Sequence, residues 1–151
     1  MTHRRTVLKG VLGFALAASV SSAALAQEAL KIGLILPMTG PFASTGRQID
    51  AAVKLFLAQE GAVHGGRKLE VILKDDAGNA DATRRLAQEL VVNDKVSVLA
   101  GFGLTPLAMA TAQIATQAKV PQIVMAAATA TITEASPYIA RTSFTLPQAS
   151  E

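Results

Sequence analysis

The side chains best suited to chemistry are few and poorly matched. Asp75 and Asp76 are adjacent carboxylates at the end of an apolar run, a pairing that elsewhere holds hard cations or moves protons. With Ala77, Gly78 and Asn79 following, the expected role is a solvated turn. Ser44 and Thr45 are hydroxyl nucleophiles only beside a base, and His64 is the sole histidine beyond His3; no Gly-x-Ser-x-Gly elbow exists. His64 also lacks a second His or any Cys with which to bind zinc and reads as a loop residue.

Two glycine patterns fail as nucleotide motifs. Gly40 and Gly46 bracket a loop of phosphate-loop spacing, but Arg47-Gln48 stands where Lys-Ser or Lys-Thr is required. Gly101-Phe102-Gly103 begins like a dinucleotide fingerprint, yet Pro106 occupies the place of its third glycine. Hydrolase and nucleotide chemistry are therefore excluded as leading readings, and no cofactor is expected. What remains is a set of Gly-, Thr- and Ser-rich segments, 37–46, 101–105 and 126–131, whose amides and hydroxyls suit a small polar ligand.

The elements around these segments alternate. Leu30–Leu36 is a near-continuous apolar run closed by Pro37, as expected of a strand covered on both faces. From Gly46 to Glu60, Ile49, Ala52, Val53, Phe56 and Leu57 recur at three- and four-residue steps and predict a helix with one buried stripe. Leu69–Lys74 is the second strand, followed by a helix capped by Asp81 with Leu86, Leu90 and Val91 inward. Val96–Ala100 is the third strand. Thr105-Pro106 opens a helix to about Ala118, the threonine serving as cap and the proline preformed for the first turn. Ile123–Ala126 is the fourth strand, and Tyr138–Thr145 holds a fifth. This alternation predicts a doubly wound α/β fold with a parallel sheet, whose ligand crevice lies beyond the carboxyl ends of the strands. The three polar segments are the loops at those ends.

Charge and composition narrow the class. Three of the 14 basic residues, Arg4, Arg5 and Lys9, precede residue 27, leaving 11 basic against 11 acidic residues. A near-neutral chain with 4% aromatic residues carries no footprint for nucleic acid. Arg4-Arg5 ahead of the apolar run Val11–Ala18, with small residues Ser22–Ala26, reads as an export leader cleaved between Ala26 and Gln27. The arginine pair is similar to a twin-arginine signal, although His3 precedes it; general export and the twin-arginine route both stay open. The apolar stretch is shorter than the roughly 20 residues of a spanning helix. With no cysteine there is no lipid attachment site and no disulfide, so a released periplasmic product is expected. Residues 27–151 suffice for one domain.

The ordered set Leu36-Pro37-Met38-Thr39-Gly40-Pro41-Phe42-Ala43, Asp75-Asp76, Gly101 to Thr105, Val120-Pro121 and Ala126-Ala127-Ala128-Thr129 resembles the branched-chain amino acid binding proteins of ABC importers. The resemblance implies a type I periplasmic binding protein, two doubly wound lobes that close on a ligand and present it to an inner-membrane ABC permease. It covers the N-terminal lobe and stops at Glu151, so a truncated lobe is expected, monomeric if full length. By family position, Thr105 matches the hydroxyl residue that holds the ligand carboxylate. Ala126 and either Ala128 or Thr129 match the fourth-strand residues that offer carbonyl, amide and hydroxyl groups, with Thr129 favoured for the hydroxyl. Phe42 and Thr45 match the side-chain pocket. The implied ligand is a branched-chain or related amino acid. Thr45 in place of a bulkier aromatic, and the Arg141–Gln148 ending, are similar to relatives that carry aromatic carboxylates. An exported ligand sensor and an inactive truncated product are the competing roles; an exported α/β enzyme ranks far lower.

Overall fold

The computed structural model describes residues 28–150. The expected leader and its cleavage site lie outside the described residues. Among those described, no helix is long and apolar enough to cross a membrane.

Strand β1 (Leu30–Leu36) is the centre of the sheet, and Leu34, Ile35 and Leu36 are buried from both sides. Helix α1 (Ala43–Glu60) follows, then a short antiparallel hairpin of β2 (Val63–His64) and β3 (Arg67–Asp75). Helix α2 (Ala80–Val92), strand β4 (Val98–Gly101), helix α3 (Thr105–Ala118) and strand β5 (Gln122–Val124) complete two further steps of the alternation. A 3-10 turn over Ala130–Ala135 leads to β6 (Ile139–Arg141) and a terminal helical turn α4 (Leu146–Ala149). The strand order is β2-β3-β1-β4-β5-β6, parallel from β3 to β6. Because β3 lies on one side of β1 and β4 on the other, the winding reverses between β1 and β4, the position at whose carboxyl ends open sheets of this class bind ligands. The doubly wound class is thus as expected.

Details depart from the sequence reading for identifiable reasons. His64 is not in a loop: it pairs with Arg67 across the hairpin, its Nε2 lies 2.9 Å from the Gly61 carbonyl, and its ring stacks on Phe56 at 5.4 Å. Asn79, not Asp81, caps α2, accepting from the Ala82 amide at 2.9 Å, while Asp81 sits in the first turn. Val96 is spent closing α2, its amide donating to Leu90 O, so β4 starts at Val98. The expected α1 stripe is only half covered: Ile49, Val53 and Leu57 are partly buried and Phe56 is 49% exposed. On the opposite face α2 and α3 bury Ala87, Leu90, Ala108 and Ala112 against Ile35, Leu99 and Val124. The segment expected as a strand from Tyr138 to Thr145 pairs only over Ile139–Arg141, then turns at Thr145, which forms a capping box with Gln148.

Two glycines permit backbone contacts that any side chain would block. A Cβ on Gly46 would lie 2.2 Å from the Pro37 carbonyl oxygen, so α1 can start directly against the end of β1. Gly101, at φ +115°, would place a Cβ 2.1 Å from Ile35 O. The Gly40–Gly46 spacing therefore serves packing. Gln122, fully buried, locks β5 to α3 by donating to Ala108 O at 2.8 Å and accepting from Thr111 Oγ1 at 2.9 Å. That pair sets the height of α3 relative to the end of β5.

Candidate functional site

Three loops meet at the carboxyl edge of the sheet: Pro37–Phe42 after β1, Phe102–Leu104 after β4, and Met125–Thr129 after β5. The chain stitches them together through its backbone. Phe102 donates to Ile35 O at 3.1 Å and accepts from the Ala127 amide at 3.1 Å, and Met125 donates to Gly101 O at 2.8 Å. Phe102 holds φ at 65°, a left-handed conformation that costs a bulky residue about 1–3 kcal/mol. Full burial of its ring offsets that strain.

The loop after β1 is organised by the two aspartates. Asp75 accepts from Met38 N at 2.9 Å, Thr39 N at 3.3 Å and Ala77 N at 2.8 Å through Oδ1, and from Thr39 Oγ1 at 2.7 Å through Oδ2. Desolvation, the largest single influence, pushes its carboxyl up, but the bonds from the Thr39 hydroxyl and the Ala77, Met38 and Thr39 amides together hold it below the usual carboxylate range. Asp76 is wholly buried, contrary to the solvated turn expected from sequence. Its Oδ1 accepts from Gly78 N at 2.9 Å and its Oδ2 from Thr83 Oγ1 at 2.9 Å. Both carboxylates thus gather the chain's own amides and hydroxyls.

The residues matched to a ligand by resemblance fall as follows. Thr105 is not the cap of α3: Leu104 is, in extended conformation and without a side-chain cap bond. Thr105 is the first helical residue, and its hydroxyl lies 2.7 Å from that of Thr129. A helix hydroxyl and a loop hydroxyl are therefore paired at the amino end of α3, where oriented amides favour an anion. Ala126 and Ala128 flank the buried Ala127 on the approach to Thr129. The successive carbonyls of 127–129 are each taken: Ser143 Oγ donates to Ala127 O at 2.8 Å, Leu146 N to Ala128 O at 2.9 Å, and Arg141 Nη2 to Thr129 O. Phe42 is the residue preceding α1 and is half exposed; its ring and the Leu104 side chain both approach Gly78. Thr45 lies within the first turn of α1, its amide bonded to Phe42 O at 3.1 Å, and is not part of the hydroxyl pair.

Arg141 is a residue that the loop motifs do not single out. A period of two from Ile139, which faces the core, puts Arg141 on the same face and was the available signal. Asp75 gives a comparable signal, since a carboxylate on the last residue of a strand is well placed to gather loop amides.

Paired hydroxyls at a helix amino terminus, beside the point where the winding of an open α/β sheet reverses, stand where sheets of this class hold small ligands. The chain belongs to the periplasmic binding protein family, which it matches over residues 29–151. It is 40% identical over 148 residues to the Leu/Ile/Val-binding protein homolog 6 of Brucella abortus, covering 97% of this chain and 37% of that one. It is 65% identical to a solute binding protein of an ABC transporter from Rhodopseudomonas palustris BisB5 in complex with 3,4-dihydroxy benzoic acid, with a TM-score of 0.78 over 80% of this chain and 33% of that chain. A second such protein, from Rhodopseudomonas palustris HaA2 in complex with p-hydroxybenzoic acid, is 44% identical with a TM-score of 0.74, covering 78% and 32%. The chain thus spans about a third of the length of these relatives. All three relatives are binding proteins, and the fold and family agree with the resemblance read from the motifs.

Proposed function

We propose that this chain forms one wall of the ligand cleft in an extracytoplasmic solute-binding protein serving an inner-membrane ABC permease, and that its ligand is a small aromatic carboxylate of the hydroxybenzoate class. The observation that carries the choice is the 65% identity to a protein holding 3,4-dihydroxy benzoic acid. The site's chemistry supports it. Thr105, Thr129 and the amino end of α3 suit a carboxylate, and Phe42 with Leu104 offers apolar surface to a ring. Asp75 and Asp76 both hold the chain's own amides and hydroxyls, and Asp76 is fully buried.

In this reading ligand binds better to a closed form and shifts the open–closed balance that the permease senses. Export and cleavage after Ala26 belong to the same reading; the intact mass of the periplasmic protein should begin at Gln27. Calorimetric titration of that protein with 3,4-dihydroxybenzoate, 4-hydroxybenzoate and leucine tests the ligand class. Saturable binding of the benzoates and silence with leucine is the expected result. Leucine binding with inert benzoates would restore the branched-chain amino acid reading, which the 40% identical Brucella relative favours.

A further inference from the structure

Arg141 ends β6 in register with Val124 of β5 and reaches under the loop after β5, where its Nη2 donates to the Thr129 carbonyl. Its Nε and Nη1 are buried and have no acceptor among the described residues. The ion pairs among those residues are Lys54 with Asp50 and Lys74 with Glu89, both elsewhere. A guanidinium held out of water without a counter-ion is costly, and a buried cation ordinarily pairs. Here the cation is attached to the one residue, Thr129, whose hydroxyl meets Thr105 at the amino end of α3. Two positive contributions, the guanidinium and the helix terminus, therefore meet at Thr129, and among the described residues the guanidinium makes no ion pair.

Resting on the carboxylate-ligand reading above, we infer that Arg141 is the positioning and selectivity residue of this site. It fixes the Thr129 loop through the carbonyl, and its uncompensated charge makes the hydroxyl pair prefer an anion over a neutral ligand of the same shape. It acts through Thr129 and through its field. The hydroxyls alone would accept a carboxylate and a carboxamide with little discrimination, since a hydroxyl both donates and accepts.

The test compares 3,4-dihydroxybenzoate with 3,4-dihydroxybenzamide by calorimetry on the periplasmic protein, its Arg141→Gln variant and its Arg141→Lys variant. The wild-type protein should prefer the carboxylate. In Arg141→Gln that preference should fall by at least about tenfold, the scale on which a neighbouring opposite charge biases an ionised group. Any loss of the amide's own affinity in Arg141→Gln should be clearly smaller than the loss for the carboxylate, and Arg141→Lys, which keeps the charge and loses the fork, should retain most of the preference. Equal loss of both ligands in Arg141→Gln, or loss of preference in Arg141→Lys as large as in Arg141→Gln, would overturn the inference and leave a structural role only. Should the variants fail to fold, a wild-type protein that binds the two ligands equally would overturn it as well. Absence of binding by either benzoate compound to wild type would instead refute the ligand class.

Discussion

Replacing Thr105 and Thr129 by valine, singly and together, isolates the hydroxyl pair while keeping β-branched shape at both positions. The two oxygens are 2.7 Å apart, a normal distance for one hydroxyl donating to another. In the unliganded protein that neutral bond contributes about 1 kcal/mol, so each single variant should lose no more than about that in stability. A bound carboxylate changes the balance, because each hydroxyl that donates to an ionised oxygen contributes about 1.5–3 kcal/mol. At 1.4 kcal/mol per factor of ten, either single variant should bind the benzoate about 10- to 100-fold more weakly. The double variant should lose less than the sum, because removing one hydroxyl already deprives the other of the partner that orients it. Titration calorimetry with 3,4-dihydroxybenzoate, alongside urea denaturation of each variant, gives all four corners of the cycle. Unchanged affinity in Thr105→Val would refute the role given to this pair, and strictly additive losses would refute their coupling.

Two further outcomes concern the scaffold beneath the site. Asp76→Ala removes the acceptor for Gly78 N and for Thr83 Oγ1, both at 2.9 Å, in a position 0% exposed. It should cost about 2–4 kcal/mol in urea denaturation. Asp76→Asn should cost far less, because its oxygen still accepts from Gly78 while Thr83 keeps its proton on Asn79 O at 2.8 Å. Similar losses in the two variants would refute the hydrogen-bond account. Asp75 has a lowered folded carboxyl, so its stabilisation is present above the unfolded value, near 3.8, and is lost as pH falls through the folded one. The thermal stability gap between wild type and Asp75→Asn should hold steady from about pH 5 to 8 and close below about pH 4. A gap that persists undiminished at lower pH would show that the carboxylate charge is not what gathers the Met38–Thr39 loop.

By itself the sequence determined the alternating elements, the doubly wound class and the three loops of interest. Apolar runs such as Leu30–Leu36 and punctuation such as Pro37 and Thr105-Pro106 act within a few residues, where each segment's preference is its own property. The ordered loop motifs were likewise enough to reach the family. Only the tertiary structure decided what the polar groups do. Thr105 reads as a helix cap until β4 and β5 lie side by side and bring Thr129, 24 residues on, to its hydroxyl. Asp76 reads as a solvated turn until α2 folds over it and supplies Thr83. Arg141 reads as one charge within the Tyr138–Thr145 strand until the register with Val124 carries it beneath the Thr129 carbonyl. Burial of an apolar stripe is written in the periodicity of one segment. The partner of a hydrogen-bonding group is a relation between two segments, and strand order and register, which local sequence does not encode, choose it.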